Sequence, residues 1–138
     1  MHRWLGRFEP QAYALMRIVA GFLFLFHGAQ KLFGAFGRPP ATETLMQVGG
    51  VIEFVGGILV MIGLFASWAA FLSSGMMAFA YFMGHYKFWD PPEGGLAFWP
   101  IQNRGELAVL YCFVFLYIAF RGAGPWSVAS LLRKPQLG

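Results

Sequence analysis

The feature that most constrains this chain is the length of its apolar runs. Four can be delimited, at residues 11–33, 45–65, 68–86 and 105–121. Each is near the roughly 20 residues that an α-helix needs to cross a hydrocarbon core. Charge agrees with this. Only 12% of the 138 residues are charged and 58% are hydrophobic, whereas a soluble domain carries roughly 25% charged residues. So few charges could not cover a soluble domain of this size, and lipid is the implied solvent. The expected fold is all-α, a four-transmembrane-helix up-down bundle forming a single membrane domain over residues 1–138. Neither an internal repeat nor a second domain is visible.

A cleaved leader is the first alternative to dismiss. Arg3 and Arg7 could form its basic region and residues 18–26 its apolar stretch, but no small-residue cleavage site follows. The first run is therefore read as a retained span. The connections are of two kinds. Ala66 and Ser67 make a very short link between the second and third runs. The first and third links carry Gly34, Gly37, Pro39 and Pro40, and then Pro91, Pro92, Gly94, Gly95 and Pro100. Backbone this rich in Pro and Gly does not continue a helix.

Trp4, Trp68, Trp89, Trp99 and Trp126 all fall outside the runs or at their edges, where an amphipathic ring prefers the membrane interface. Arg3, Arg7, Arg121, Arg133 and Lys134 flank one side, and Lys31, Arg38, Lys87 and Arg104 the other. The modest excess on the terminal side places both termini in the cytoplasm. The net charge of +4 lies mostly at the ends of apolar runs. That suits anionic lipid headgroups and not nucleic acid.

Ionisable groups inside apolar helices cost on the order of 2.5–3.5 kcal/mol each on insertion scales, so they normally face the bundle interior or water. Up-down topology would bring His27, Gln30, Lys31, Glu53, Tyr81, His85, Asn103 and Glu106 towards one end, with Arg17 alone below them. Arg17, Gly21, Phe24, Gly28 and Lys31 follow a 4-3-4-3 spacing and share one helix face. Glu53 sits among Gly49, Gly56 and Gly57, and small residues allow close helix approach in membranes. Ser74, Ala78, Tyr81 and His85 form a stripe on the third span. Asn103, Glu106, Leu110, Phe113 and Tyr117 form one on the fourth.

Depth, at about 1.5 Å per residue, pairs Glu53 with His27 and Glu106 with Lys31 or His85. Arg17 either snorkels to the cytoplasmic interface or closes the polar cavity from beneath. Each polar group also has a structural reading: Lys31, Lys87 and Arg104 as interfacial snorkelling, His85 as a helix-end residue. Glu53 is the hardest to read in that way. The two histidines lack a supporting motif for haem or metal, so no metal site is expected. Cys112 is the lone cysteine, which excludes an internal disulfide and a CxxC pair. It reads as an inert thiol.

These residues resemble the DoxX family of small bacterial membrane proteins. The run from Arg17 to Gly21 and that from Phe26 to Lys31 carry the likeness in the first span. Gly49 to Gly57 around Glu53, then Leu59 and Gly63, carry it in the second. Asn103, Glu106 and Leu107 open the fourth, and Gly122, Gly124, Pro125, Trp126 and Ser127 follow it. The likeness runs over residues 15–127. Family members often continue this last segment with Leu-Asp, where this chain has Val128 and Ala129. The resemblance implies a four-helix membrane bundle linked to membrane redox processes, including sulfur-compound oxidation coupled to quinone and oxidative-stress complexes.

Three functions follow as expectations. The first is a redox-associated membrane subunit that binds a quinone-like or other amphipathic small molecule in the polar cluster. There Glu53 and Glu106 would accept protons and His27, Lys31 and His85 would orient the ligand, with the third connection as a lid. The second is a non-catalytic scaffold or assembly subunit of a membrane complex. The third is a small lipid or solute carrier, for which a homo-oligomer would be needed. No resident cofactor is evident, and quinone is the candidate. No covalent nucleophile is visible, so whether the chain is itself an enzyme stays open. Redox-complex subunits are the candidate protein partners.

Overall fold

Glycine ends the first two long helices. Helix α1, Glu9–Phe33, stops at Gly34, whose φ of 67° lies in the left-handed region and whose N–H reaches back to the Gln30 carbonyl. Helix α2, Thr44–Ile62, stops in the same way at Gly63, φ 70°. A residue without Cβ adopts this conformation without strain, which is why such caps are common. Helix α3, Ala66–Ala80, runs on into a wider π-helical turn, Tyr81–Tyr86. A single turn at Pro100–Asn103 precedes α4, Glu106–Arg121, and a short α5, Val128–Leu132, closes the described chain. The computed structural model describes residues 2–87 and 98–133, and every regular element among them is helical.

Three helical stretches, Gly6–Phe33, Thr44–Ile62 and Ala66–Tyr86, are long and apolar enough to cross a membrane. Helix α4 has 16 residues and falls below that length, so the fourth expected span is the shortest. The link between the second and third runs is also displaced from its expected place. Ala66 and Ser67 are already in α3, and the turn is made by Gly63, Leu64 and Phe65, with Phe65 at φ 50°. The αL conformation of Gly63 stops α2 earlier than hydropathy indicates. Trp4, Trp68, Trp99 and Trp126 are exposed, as interface positions require. Trp89 lies outside the described residues.

Different helix pairs meet through different chemistry. Between α1 and α2 backbone touches backbone. A Cβ on Gly21 would stand 2.6 Å from the Gly57 carbonyl oxygen, and one on Gly57 would stand 2.6 Å from the Leu25 nitrogen. Small residues thus replace side-chain packing on this seam. Between α1 and α4 aromatic rings fill the space: Phe24 lies 4.6 Å from Phe115 and 5.4 Å from Tyr111, centroid to centroid. Between α3 and α4, Ser74 Oγ donates to the Cys112 carbonyl at 2.8 Å.

The inward face of α4 is not the expected one. Ala108, Tyr111, Phe115 and Ile118 are buried, while Glu106, Leu110, Phe113 and Tyr117 are exposed. The two stripes have the same helical period. The polar start of the helix marked one of them, but the bulky aromatics facing α1 determine which turns inward.

Candidate functional site

Arg17 is completely enclosed. Its Nη1 donates to the Val60 and Met61 carbonyls, both at 2.7 Å, and its Nη2 to those of Trp126 at 2.8 Å and Pro125 at 3.2 Å. The first pair are late carbonyls of α2, where the regular i→i−4 bonding runs out, although the Val60 carbonyl also takes the Gly63 N–H at 3.2 Å. A cation at that terminus also opposes the helix dipole. The second pair belong to the segment after α4. That segment is fastened further by Ser127 Oγ donating to Gly124 O at 2.7 Å and by Ala129 N–H donating to Gly63 O at 3.2 Å. Tyr13 donates its hydroxyl proton to the Gly122 carbonyl. Arg17 therefore neither snorkels nor floors a polar cavity. It joins three parts of the chain through a planar fork that a lysine does not have.

The carboxylate of Glu53 is found at the other end of α1. The residue is 2% exposed, and its Oε1 accepts a hydrogen bond from Lys31 Nζ at 2.6 Å. Its Oε2 is buried without a hydrogen-bond partner among the described residues. The expected partner was His27, and the structure corrects this. His27 is exposed, its ring 6.2 Å from that of Tyr111, and among the described residues it makes no hydrogen bond to Glu53. Helix phase accounts for the difference. Residue 27 precedes Gly28 on the packed face by one position, so it stands to one side of it, whereas Lys31 continues that face. Side chains also tilt towards the helix N-terminus, which carries the Lys31 ammonium back down to the level of Glu53.

A groove of ≈ 890 Å³ opens between α2 and α3. Met46, Met76 and Phe79 are among its apolar walls, and Lys31, Glu43 and His85 among its polar lining. Lys31 Nζ lies about one contact distance, 4.0 Å, from where a Gly49 Cβ would stand. The absence of side chains at Gly49, Gly75 and Gly84 keeps the groove open. Lys31 is thus both the partner of a buried carboxylate and part of the groove wall.

The end of α3 carries a further network. His85 Nδ1 lies 3.1 Å from the Asn103 carbonyl. A carbonyl only accepts, so Nδ1 carries a proton, and in that neutral tautomer Nε2 is the acceptor. Tyr81 donates to the Phe98 carbonyl and accepts from Asn103 Nδ2 at 3.3 Å. Asn103 Oδ1 caps Gly105 N–H at 2.8 Å. The π-helical turn sets these side chains off from the α-helical register, as such turns often do near functional positions.

Of the expected cluster, then, Lys31 and His85 both line the groove and Glu53 lies behind Lys31. Tyr81, His85 and Asn103 form a second group, and Arg17 belongs to the opposite end. Glu106 is exposed and forms no ion pair among the described residues, so its pairing with Lys31 or His85 is not found. Gln30 contributes its backbone carbonyl to the α1 cap. Residues 88–97 of the expected lid lie outside the described residues. The described residues hold no group of three or more potential metal ligands. Sequence reasoning missed Glu43, the methionines of the groove and Tyr111. Glu43 had a signal, as the carboxylate just before the second span, but methionines in an apolar run carry none.

Comparison with known proteins adds a family. The family model described as DoxX matches residues 12–86, a segment that includes Arg17, Lys31, Glu53 and His85. A protein of Haemophilus influenzae, described as an uncharacterized protein, is 42% identical over 94% of this chain and 97% of its own length. An uncharacterized membrane protein of Mycobacterium tuberculosis is 30% identical over 91% of this chain and 83% of its own. No solved structure matches.

Proposed function

This chain belongs to the DoxX family of membrane proteins, and from that premise we propose that it is a redox-associated subunit of the bacterial inner membrane. On this reading α4 crosses the bilayer with the three longer helices as an up-down four-helix bundle, and both termini are cytoplasmic. The bundle binds an amphipathic small molecule, quinone-like in having an oxygen-bearing head on an apolar body. The observation that carries the reading is the groove between α2 and α3. Its volume falls within the roughly 300–1,000 Å³ of small-molecule pockets, its walls are Met and Phe, and it holds one ammonium and one imidazole. Lys31 would donate to a head-group oxygen, and His85 Nε2 would accept from a hydroxyl. The redox association is supported by the family resemblance alone.

The test is photolabelling of detergent-purified protein with an azido-quinone, followed by peptide mapping. Label is expected on peptides containing Met46, Met76 or Phe79, reduced severalfold in Lys31→Met. Absence of saturable labelling there would sink the reading. The scaffold alternative also has an observation in its favour, because the Lys31–Glu53 pair joins α1 to α2. It predicts that Glu53→Gln weakens the fold and that no ligand competes for the groove.

A further inference from the structure

We propose that the groove selects an amphiphile with a monovalent anionic head, a long-chain carboxylate, and that each one binds together with a proton taken up by Glu53. The inference rests on the groove being a ligand site and goes on to name the head group and the ion that enters with it.

Among the described residues Lys31 is the side chain that both hydrogen-bonds Glu53 and lines the groove. Its ammonium has three donors, one of them directed at Glu53 Oε1, and the side chain is 25% exposed. Behind it the carboxylate is 3% exposed, with a single hydrogen bond at Oε1 and none at Oε2. The pair is neutral as it stands. An anion entering the groove takes the ammonium as its own counter-ion. That leaves a buried carboxylate with no hydrogen-bond donor among the described residues, which is costly in a low-dielectric interior. One proton from solvent restores neutrality. In full, the Lys31 ammonium, the Glu53 carboxylate, the ligand carboxylate and a proton become an ammonium–ligand pair and a protonated Glu53. No bond to carbon changes and no electron moves.

The surroundings fit a single negative charge. Facing Glu53 are Lys31 and His27 from α1 and Tyr111 from α4. Facing the groove are Lys31, Glu43 beside the start of α2, and His85 beyond α3. A lining with one lysine and the carboxylate of Glu43 suits a monovalent head better than a phosphate dianion. The apolar walls of Met46, Met76 and Phe79 match a hydrocarbon tail. His85 also lines the groove, so the experiment has to separate it from Glu53.

Dodecanesulfonate is a suitable probe, because a sulfonate keeps its negative charge and any proton taken up must be the protein's. Titration calorimetry of the full chain in zwitterionic-lipid nanodiscs, in two buffers of different ionisation enthalpy, gives protons per ligand bound. About one proton is expected in the wild type and in His85→Asn, with affinity falling about tenfold per pH unit as pH rises. In Glu53→Gln uptake is expected to vanish while affinity at neutral pH rises about tenfold, since Lys31 no longer has to leave a carboxylate. Lys31→Met should lose sulfonate binding, and it keeps the question open to decision if Glu53→Gln fails to fold. Sulfonate binding without proton uptake, or uptake that persists in Glu53→Gln, overturns the proposal. A neutral decyl-quinone that binds where sulfonate does not overturns it and leaves the ligand reading standing. If neither probe binds, both are overturned.

Discussion

Arg17 and Lys31 are cations on the same packed face of α1, about 21 Å apart along its axis, and they are held in opposite ways. Arg17 meets no carboxylate. Four of its N–H bonds go to four backbone carbonyls from α2 and from the segment after α4. Lys31 meets one carboxylate oxygen among the described residues and looks into a groove. The difference separates framework from site. A cation whose partners are all main-chain atoms cannot be given to a ligand without opening the fold. One whose partner is a single side chain can be shared.

The comparison is easiest to break at Arg17. Arg17→Ala removes a donor from four carbonyls, of which Val60 O keeps the Gly63 N–H, and is expected to cost about 3–5 kcal/mol, read as loss of thermal stability in detergent. Arg17→Lys keeps the charge but loses the fork, and about 2 kcal/mol with it. A variant that melts like the wild type would show that the α2 terminus and the Pro125–Trp126 carbonyls do not depend on this side chain. Next in size is Gly57→Ala, which places a methyl carbon 2.6 Å from the Leu25 nitrogen. It should cost about 1–3 kcal/mol through forced separation of α1 and α2.

Glu53→Gln sharpens the contrast most. The amide keeps the shape and can still accept from Lys31, so the loss of stability should stay below about 1 kcal/mol. A loss as large as that of Arg17→Ala would make the pair structural glue and favour the scaffold reading. Smallest is Arg121→Gln. Its ion pair with Glu9, at 2.6 Å, joins two largely exposed side chains. Removing it should leave the melting temperature unchanged within error at moderate salt.

Much of this was legible before the structure. The spacing of Arg17, Gly21, Phe24, Gly28 and Lys31 marked the packed face of α1, and the glycines around Glu53 marked the helix surface that meets it. The choice of His27 as the partner of Glu53 came from depth alone. The phase of the same helix already pointed to Lys31, because one residue turns a side chain by about 100° while a lysine reaches across a full turn. On α4 two stripes share one period. Polarity at the helix start marked the stripe that faces outward, and nothing in the period itself distinguishes them. The link at Ala66 was misplaced because hydropathy does not see that Gly63 takes the left-handed conformation.

By itself, the sequence determined that this chain is helical and membrane-embedded, since its long apolar runs and scarce charges allow no soluble core. It also determined which residues are too polar for lipid and must turn inward. Only the tertiary structure decided what they turn towards. Hydrogen-bond partners depend on helix rotation and on ångström-scale approach, which apolar periodicity does not encode. That is why Arg17 proves to be a clasp of backbone carbonyls, and why Glu53 is joined to a groove through the one lysine that reaches both.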